Sequence, residues 1–232
     1  MDFTRALTYP FDDDDWLKKL GLAVLIQFIP IVGTLAMVGW SYEISRRVKA
    51  NDPTPLPDWS DFGGLLGKGF QLAIAYIIYQ LPTLIFVCII SIIWVLPAMG
   101  GDNQDAAAAL AGVAGIVAIC CSCIIILYAI AAAVVFWGGY IRYIDTPELS
   151  TFFAFGDNIQ IVRDNMGDFG QALLFVIGGG LIAGVVSSVT AGIGSLVAQP
   201  FSMYFNGHIL GQLAAKIGGM PTSGPAADVP SM

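Results

Sequence analysis

His208 is the single histidine of the chain and sits in Asn206-Gly207-His208-Ile209-Leu210-Gly211. A neutral imidazole there could ligate a haem iron or a chlorin magnesium, and the flanking glycines would leave room for a macrocycle. No second histidine supports ligation, so the expected role is a polar residue near a membrane interface, hydrogen-bonded within a helical bundle. Cys120, Cys121 and Cys123 are the second candidate. Successive helical residues point about 100° apart, so three thiols cannot converge on one metal without breaking the helix. Zinc sites also use longer gaps between ligands. These cysteines are expected to be small buried residues at a helix contact. Asp12 to Asp15 could suggest calcium, but the spaced oxygens and central glycine of a calcium loop are missing. A solvated helix start is expected instead. No metal and no cofactor are expected, and a hydrolytic triad lacks its buried acid.

The elements that position these residues follow from composition. The chain has 232 residues, of which 56% are hydrophobic and 12% charged, with a mean hydropathy of +0.76. Soluble domains carry about 25% charged residues, so a water-facing surface cannot be covered here. The reading is an all-α polytopic transmembrane bundle. The formal charge of −7 excludes a nucleic-acid partner, which demands a basic face. The acidic first residues do not read as a cleavable signal peptide.

A bilayer core needs about 20 apolar residues of helix. Four apolar stretches qualify, at residues 20–40, 69–96, 106–141 and 169–215. The last would be about 70 Å long as one helix, so a turn is predicted near residues 187–192. The first holds Pro30 and Gly33, which together predict a helix break. The positive-inside rule favours a hairpin over a kinked single span. With a hairpin, all ten Lys and Arg residues fall on one side, and the opposite loop, residues 97–105, carries only Asp102 and Asp105. About six membrane-embedded helices follow, at residues 17–30, 31–48, 68–96, 106–141, 169–188 and 192–215, with cytoplasmic termini.

The connections add detail. Pro53, Pro55 and Pro57 predict a stiff linker. Phe152, Phe155, Ile159 and Val162 lie at helical spacing, which predicts an amphipathic interfacial helix over residues 149–165 on the cytoplasmic surface. Asp near a helix start can cap free amides, and Asp15, Asp58 and Asp164 each precede an apolar stretch. Gly180 with Gly184, and Gly207 with Gly211, are four apart and predict helix packing within the bundle or between copies; Gly112 and Gly115 are a looser example. Residues 1–216 then form one membrane domain, and residues 217–232 a flexible tail.

Three groups of residues together resemble an uncharacterised membrane family, domain of unknown function 4013. They are Tyr9-Pro10-Phe11 with Asp14-Asp15-Trp16-Leu17-Lys18-Lys19; Ile29-Pro30-Ile31-Val32-Gly33; and Gly39-Trp40, Arg46-Arg47-Val48, Pro55-Leu56-Pro57-Asp58-Trp59 and Phe62-Gly63-Gly64-Leu65. The resemblance implies a prokaryotic cytoplasmic membrane and supplies no catalytic residue. No Asp, Glu, Lys or Arg lies deep in the later apolar stretches, where ion-coupled carriers bury such groups. The expected role is therefore a non-enzymatic accessory or scaffold subunit of a larger membrane complex, with lipids and protein partners around it. The alternative is a carrier or channel for a small neutral or lipid-like molecule, built on proline-broken helices.

Overall fold

The computed structural model describes residues 1–52, 56–93, 95, 104–190 and 192–218. The predicted tail beyond Gly218, most of loop 97–105, and Pro53 and Pro55 lie outside them. Among the described residues the fold is helical, with no strand. The helices are α1 (Phe3–Thr8), α2 (Trp16–Ile26), α3 (Val32–Lys49), α4 (Phe62–Ile93), α5 (Gln104–Asp145), α6 (Ser150–Phe153), α7 (Phe155–Asp164), α8 (Met166–Val189) and α9 (Ser195–Gly218). Three of them, α4, α5 and α8, are long and apolar enough to cross a membrane. At about 1.5 Å per residue α5 is about 63 Å long, well beyond a bilayer core of about 30 Å.

The predicted break at Pro30 and Gly33 is present. Helix α2 stops at Ile26 and α3 starts at Val32. Between them Ile31 takes φ 63° and ψ −62°, and the Val32 N–H donates to the Pro30 carbonyl at 2.7 Å. That is a γ-turn of the strained, positive-φ kind, which a β-branched residue rarely adopts. Gly33 then passes so close to α2 that a Cβ would lie 2.1 Å from the Ile26 carbonyl oxygen. The second predicted break is also present. Helix α8 ends at Val189, Gly192 turns the chain at φ 90°, and α9 begins at Ser195.

The chain forms two compact units, Met1–Ala73 with Trp137–Met232, and Ile74–Phe136. In the first, α9 is the central post, with α3 and α8 against it. Gly207 and Gly211 let α3 approach: a Cβ on them would meet the Ser41 and Ser45 carbonyl oxygens at 2.5 and 2.7 Å. Gly39 of α3 and Gly69 of α4 cross closer still, at 1.9 Å from the Leu65 oxygen and 1.7 Å from the Leu35 oxygen. Small residues permit such contacts where apolar burial from water cannot drive them. A buried Ser45 hydroxyl joins three helices, bonding the Ser41 and Gly207 carbonyls and the Tyr140 hydroxyl. Trp40, Phe152, Phe169 and Phe205 fill the space between.

The second unit comprises the later part of α4 and most of α5. Among its described residues, Ala75, Tyr79, Ala114, Ala118 and Ala132 are buried. On α5 the buried alanines Ala114 and Ala118, four apart, line the seam, and not Gly112 and Gly115, whose Cβ positions meet nothing within 4 Å among the described residues. The Tyr128 hydroxyl donates to the Tyr79 carbonyl at 3.0 Å, and Tyr76 and Tyr79 set their rings edge-on to Phe136. Bulky aliphatics such as Ile85, Ile92, Ile116 and Leu127 point outward.

The predicted interfacial helix is two pieces, α6 and α7, broken at Ala154. Its buried face also differs from the apolar stripe. Phe152 is buried, but Phe155 and Ile159 are exposed, and Asn158 takes the inner position. The Asn158 amide donates to the Thr151 and Phe152 carbonyls, and its oxygen accepts from Arg142. Gly138 and Gly139 of α5 make room for it.

Candidate functional site

The first polar centre lies where the aspartate run meets α2. Asp13 is buried, not solvated as the run alone suggested, and so is Lys19; their side chains are 5% and 8% exposed and lie 2.7 Å apart. Both are hydrogen-bonded beyond their mutual contact. Asp13 accepts from the Asp15 and Leu56 N–H groups, and Lys19 donates to the Leu56 carbonyl. Burial pushes the Asp13 carboxyl up. The hydrogen bonds from Lys19, Asp15 and Leu56 and the Lys19 charge outweigh it and hold the group below the usual carboxylate range. Two indoles close the arrangement. Trp59 donates to the Lys19 carbonyl and Trp40 to the Pro57 carbonyl, and the two rings stack 5.4 Å apart. Asp12, Asp14 and Asp15 are exposed, and Asp15 makes no side-chain cap on α2. Asp61 does cap, taking the Gly64 N–H at the start of α4, as Asp2 takes the Arg5 N–H at the start of α1.

Ion pairs tie the other helix ends. Lys49 of α3 holds Asp145 of α5, Lys216 of α9 holds Asp168 of α8, and Arg142 of α5 holds Asp157 of α7. Glu43 takes both Arg46 and Arg47. Lys68 instead lies over the Tyr42 and Tyr143 rings, 5.9 and 5.5 Å from their centroids, a cation–π arrangement.

The second polar centre contains His208. A cleft of about 610 Å³ opens where α1, α3 and α9 end, with His208 on its wall. Its ring is 5% exposed and lies against the Tyr9 ring at 4.4 Å. The Gln212 amide fixes which nitrogen carries the proton. Gln212 Oε1 accepts the Asp2 N–H, while Nε2 donates to the Asp2 carbonyl and faces His208 Nδ1 at 2.8 Å. A backbone N–H can only donate and a carbonyl can only accept, so this orientation is determined. Nδ1 therefore accepts, and the neutral imidazole holds its proton on Nε2. The lone pair that a haem or chlorin metal would need is engaged with Gln212. Tyr9 is 2% exposed, and its hydroxyl is the buried polar side-chain atom without a partner among the described residues. Burial, then Tyr204 and Asp13 nearby, push that phenol well above its ordinary range, so it stays neutral.

The other sequence candidates separate. Gly207 and Gly211 pack against α3, whereas Gly180 and Gly184 meet nothing within 4 Å among the described residues. On α8 it is Gly179 that packs, against Phe205. Cys120 and Cys123 are exposed and Cys121 is half-buried, not the buried contacts expected of them; Cys88 of α4 is exposed as well. Among the described residues no group of three or more His, Cys, Asp or Glu side chains could hold a metal ion. Sequence reasoning missed the Asp13–Lys19 pair and the Gly39–Gly69 crossing. The signal for the first was available: a lysine just inside an apolar helix, within reach of four preceding carboxylates.

Comparison with known proteins gives one result. A family model described as protein of unknown function (DUF4013) matches residues 22–192. No curated protein and no solved structure matches the chain.

Proposed function

Since the chain belongs to the DUF4013 family, whose function is unknown, we propose a role from its physics: a non-enzymatic accessory or scaffold subunit of a larger membrane complex. One observation carries this. In the first unit the ion pairs Asp13–Lys19, Lys49–Asp145, Arg142–Asp157 and Lys216–Asp168 tie helix ends and loops together, which is structural work. Meanwhile α4, α5 and α8 present broad apolar faces. Purification from native membranes in mild detergent, followed by mass spectrometry, tests it. Stable stoichiometric partners are expected, and a lone monomer would sink the proposal.

The topology that goes with this role has about six membrane-embedded helices, counting α2 and α3 as a hairpin and α8 and α9 as two passes. Both termini lie on the cytoplasmic side of a prokaryotic inner membrane. The positive-inside distribution supports it. Reporter fusions at the N-terminus and at Asn51 should report the same side; opposite sides would refute the hairpin.

A carrier for a small neutral or lipid-like molecule is the second reading, favoured by the strained break at Ile31. Against it, the polar residues at depth are locally engaged. Gln27 donates to the Leu196 carbonyl, Gln71 accepts from Tyr143, and Gln80 accepts from Thr83.

A further inference from the structure

We infer that the α2–α3 and α8–α9 turns form one cap that lies in the hydrocarbon of the membrane, with lipid acyl chains rather than water around it. The two turns are neighbours: the Gln27 amide donates to the Leu196 carbonyl at 2.7 Å. Their outward surface is apolar. Phe28, Ile29, Ile31 and Val32 are exposed at the first, and Val189, Ile193 and Val197 at the second. Ile31 and Ile193 are each 74% exposed and Val189 is 80% exposed. No Asp, Glu, Lys or Arg stands between Leu20 and Tyr42, or between Phe169 and Ala215. At the first turn an isoleucine holds a positive-φ position that glycine or asparagine would occupy at less cost. Nothing in a water-facing turn favours that choice.

The hydrogen bonds select lipid over a polar partner. In hydrocarbon a backbone N–H must find its acceptor within the protein. At the second turn Gly192 donates to the Ser187 carbonyl, Ile193 to Thr190, Ser195 to Gly192 and Leu196 to Ile193, while Gly194 donates to the Thr190 hydroxyl. The hydroxyls of Ser187, Ser188, Thr190 and Ser195 all donate to carbonyls of their own helix or turn. At the first turn Phe28, Ile29, Val32 and Gly33 donate to the Leu25, Ile26, Pro30 and Ile29 carbonyls, and Pro30 has no N–H. The Ile31 N–H alone is left among the described residues of the two turns, a donor that suits a lipid ester carbonyl at the edge of the hydrocarbon. Protein interfaces carry about one hydrogen bond per 100–200 Å², and this surface has almost nothing to offer one. The cap rests on the membrane reading above, and it ends the α8 and α9 passes beneath the far headgroups.

The experiment uses the full chain with Cys88→Ala, Cys120→Ala, Cys121→Ala and Cys123→Ala, and one new cysteine carrying a fluorophore. The new positions are Ile31→Cys and Ile193→Cys on the two turns, Leu181→Cys on the exposed face of α8, and Asp14→Cys at an exposed aspartate. Each protein is reconstituted in phosphatidylcholine vesicles and quenched either by a nitroxide on the lipid acyl chain or by aqueous iodide. At Ile31 and Ile193 the acyl-chain nitroxide should quench several-fold more than iodide, as it should at Leu181. At Asp14 the order should reverse. Iodide quenching at either turn, with Leu181 still in lipid, overturns the inference and leaves α8 as a spanning helix. Quenching by neither reagent at a turn means that protein covers it, and overturns the inference as well. Iodide quenching at Leu181 would overturn it together with the membrane reading. The two turn labels sit on different segments, so one readable variant decides the question if the other fails to fold.

Discussion

The two compact units divide the physical work of the chain. All ten Lys and Arg residues lie in Met1–Ala73 and Trp137–Met232, and Ile74–Phe136 has none. The first unit holds its helices together with one buried ion pair, several partly exposed ones, stacked indoles and glycine crossings. The second has an alanine seam, a few aromatic contacts and an apolar exterior. The same hydropathy therefore means different things in the two places. In the first it marks a packed interior around α3 and α9, with α8 also turning aliphatic side chains outward, and in the second it marks chiefly the surface offered to the surroundings. In lipid an aliphatic side chain gains little by turning inward, so packing must rely on small residues and hydrogen bonds.

The largest expected effect breaks the buried pair. Lys19→Ala leaves Asp13 charged, buried and short of its main partner, a change that costs about 3–5 kcal/mol. Thermal unfolding in detergent should show a large loss of Tm. Asp105→Asn, in the second unit, should leave Tm unchanged, and equal losses would remove the distinction between the units. The pair also sets a pH dependence. The Asp13 carboxyl is held below its ordinary range in the folded chain, so its contribution is complete above the carboxylate range. It is lost as pH falls through the lowered value. Asp13→Asn should abolish that acid-side slope.

Glycine substitutions come next. Gly39→Ala or Gly69→Ala places a Cβ under 2 Å from a backbone oxygen of the facing helix, where no side chain can move aside. A cost of about 1–3 kcal/mol is expected. Gly112→Ala and Gly115→Ala meet nothing. They should be neutral or stabilising by up to about 1 kcal/mol, the helix propensity gain of alanine over glycine. Comparable losses in both units would mean that the second unit packs as tightly as the first.

Strain is a smaller effect of the opposite sign. Ile31 stands at positive φ with its side chain 74% exposed, so it gains little from burial. Ile31→Gly should raise stability by about 1 kcal/mol, the lower end of what such a conformation costs. An unchanged or lower Tm would show that the side chain contributes more than the turn loses.

How much of this was legible in the sequence follows the same division. The break at Pro30 and Gly33 and the turn after Val189 could be read because proline chemistry and helix length act locally. The Gly207 and Gly211 face could be read from spacing, but so could Gly180 and Gly184, which meet nothing here. Spacing shows that a face is flat, not what lies opposite it. Asp13 and Lys19 were hidden because burial of a charge depends on a partner loop, here the chain at Leu56. On α7 the apolar stripe points outward and Asn158 points in. A polar side chain that can satisfy two carbonyls and an arginine is a better inner residue there than a bare aliphatic one. His208 was visible as a candidate, but its tautomer is set by Asp2, more than two hundred residues away in the chain.

The smallest effect tests the surface of the second unit directly. Cys120 and Cys123 are exposed and Cys121 is half-buried, all on a helix long and apolar enough to cross a membrane. If that exterior faces lipid, a nitroxide attached at Cys120 or Cys123 and reconstituted in a bilayer should collide more often with oxygen, which concentrates in lipid, than with a charged nickel chelate, which does not. At Cys121 the neighbouring side chains should reduce both collision rates. Fold and stability should hardly change, because the label occupies space that the chain leaves empty. High nickel access at Cys120 would place that face in water and remove the lipid from the comparison. Low access to both reagents at Cys120 and Cys123 would instead mean that another protein covers the face, as the subunit reading requires at some part of this apolar surface.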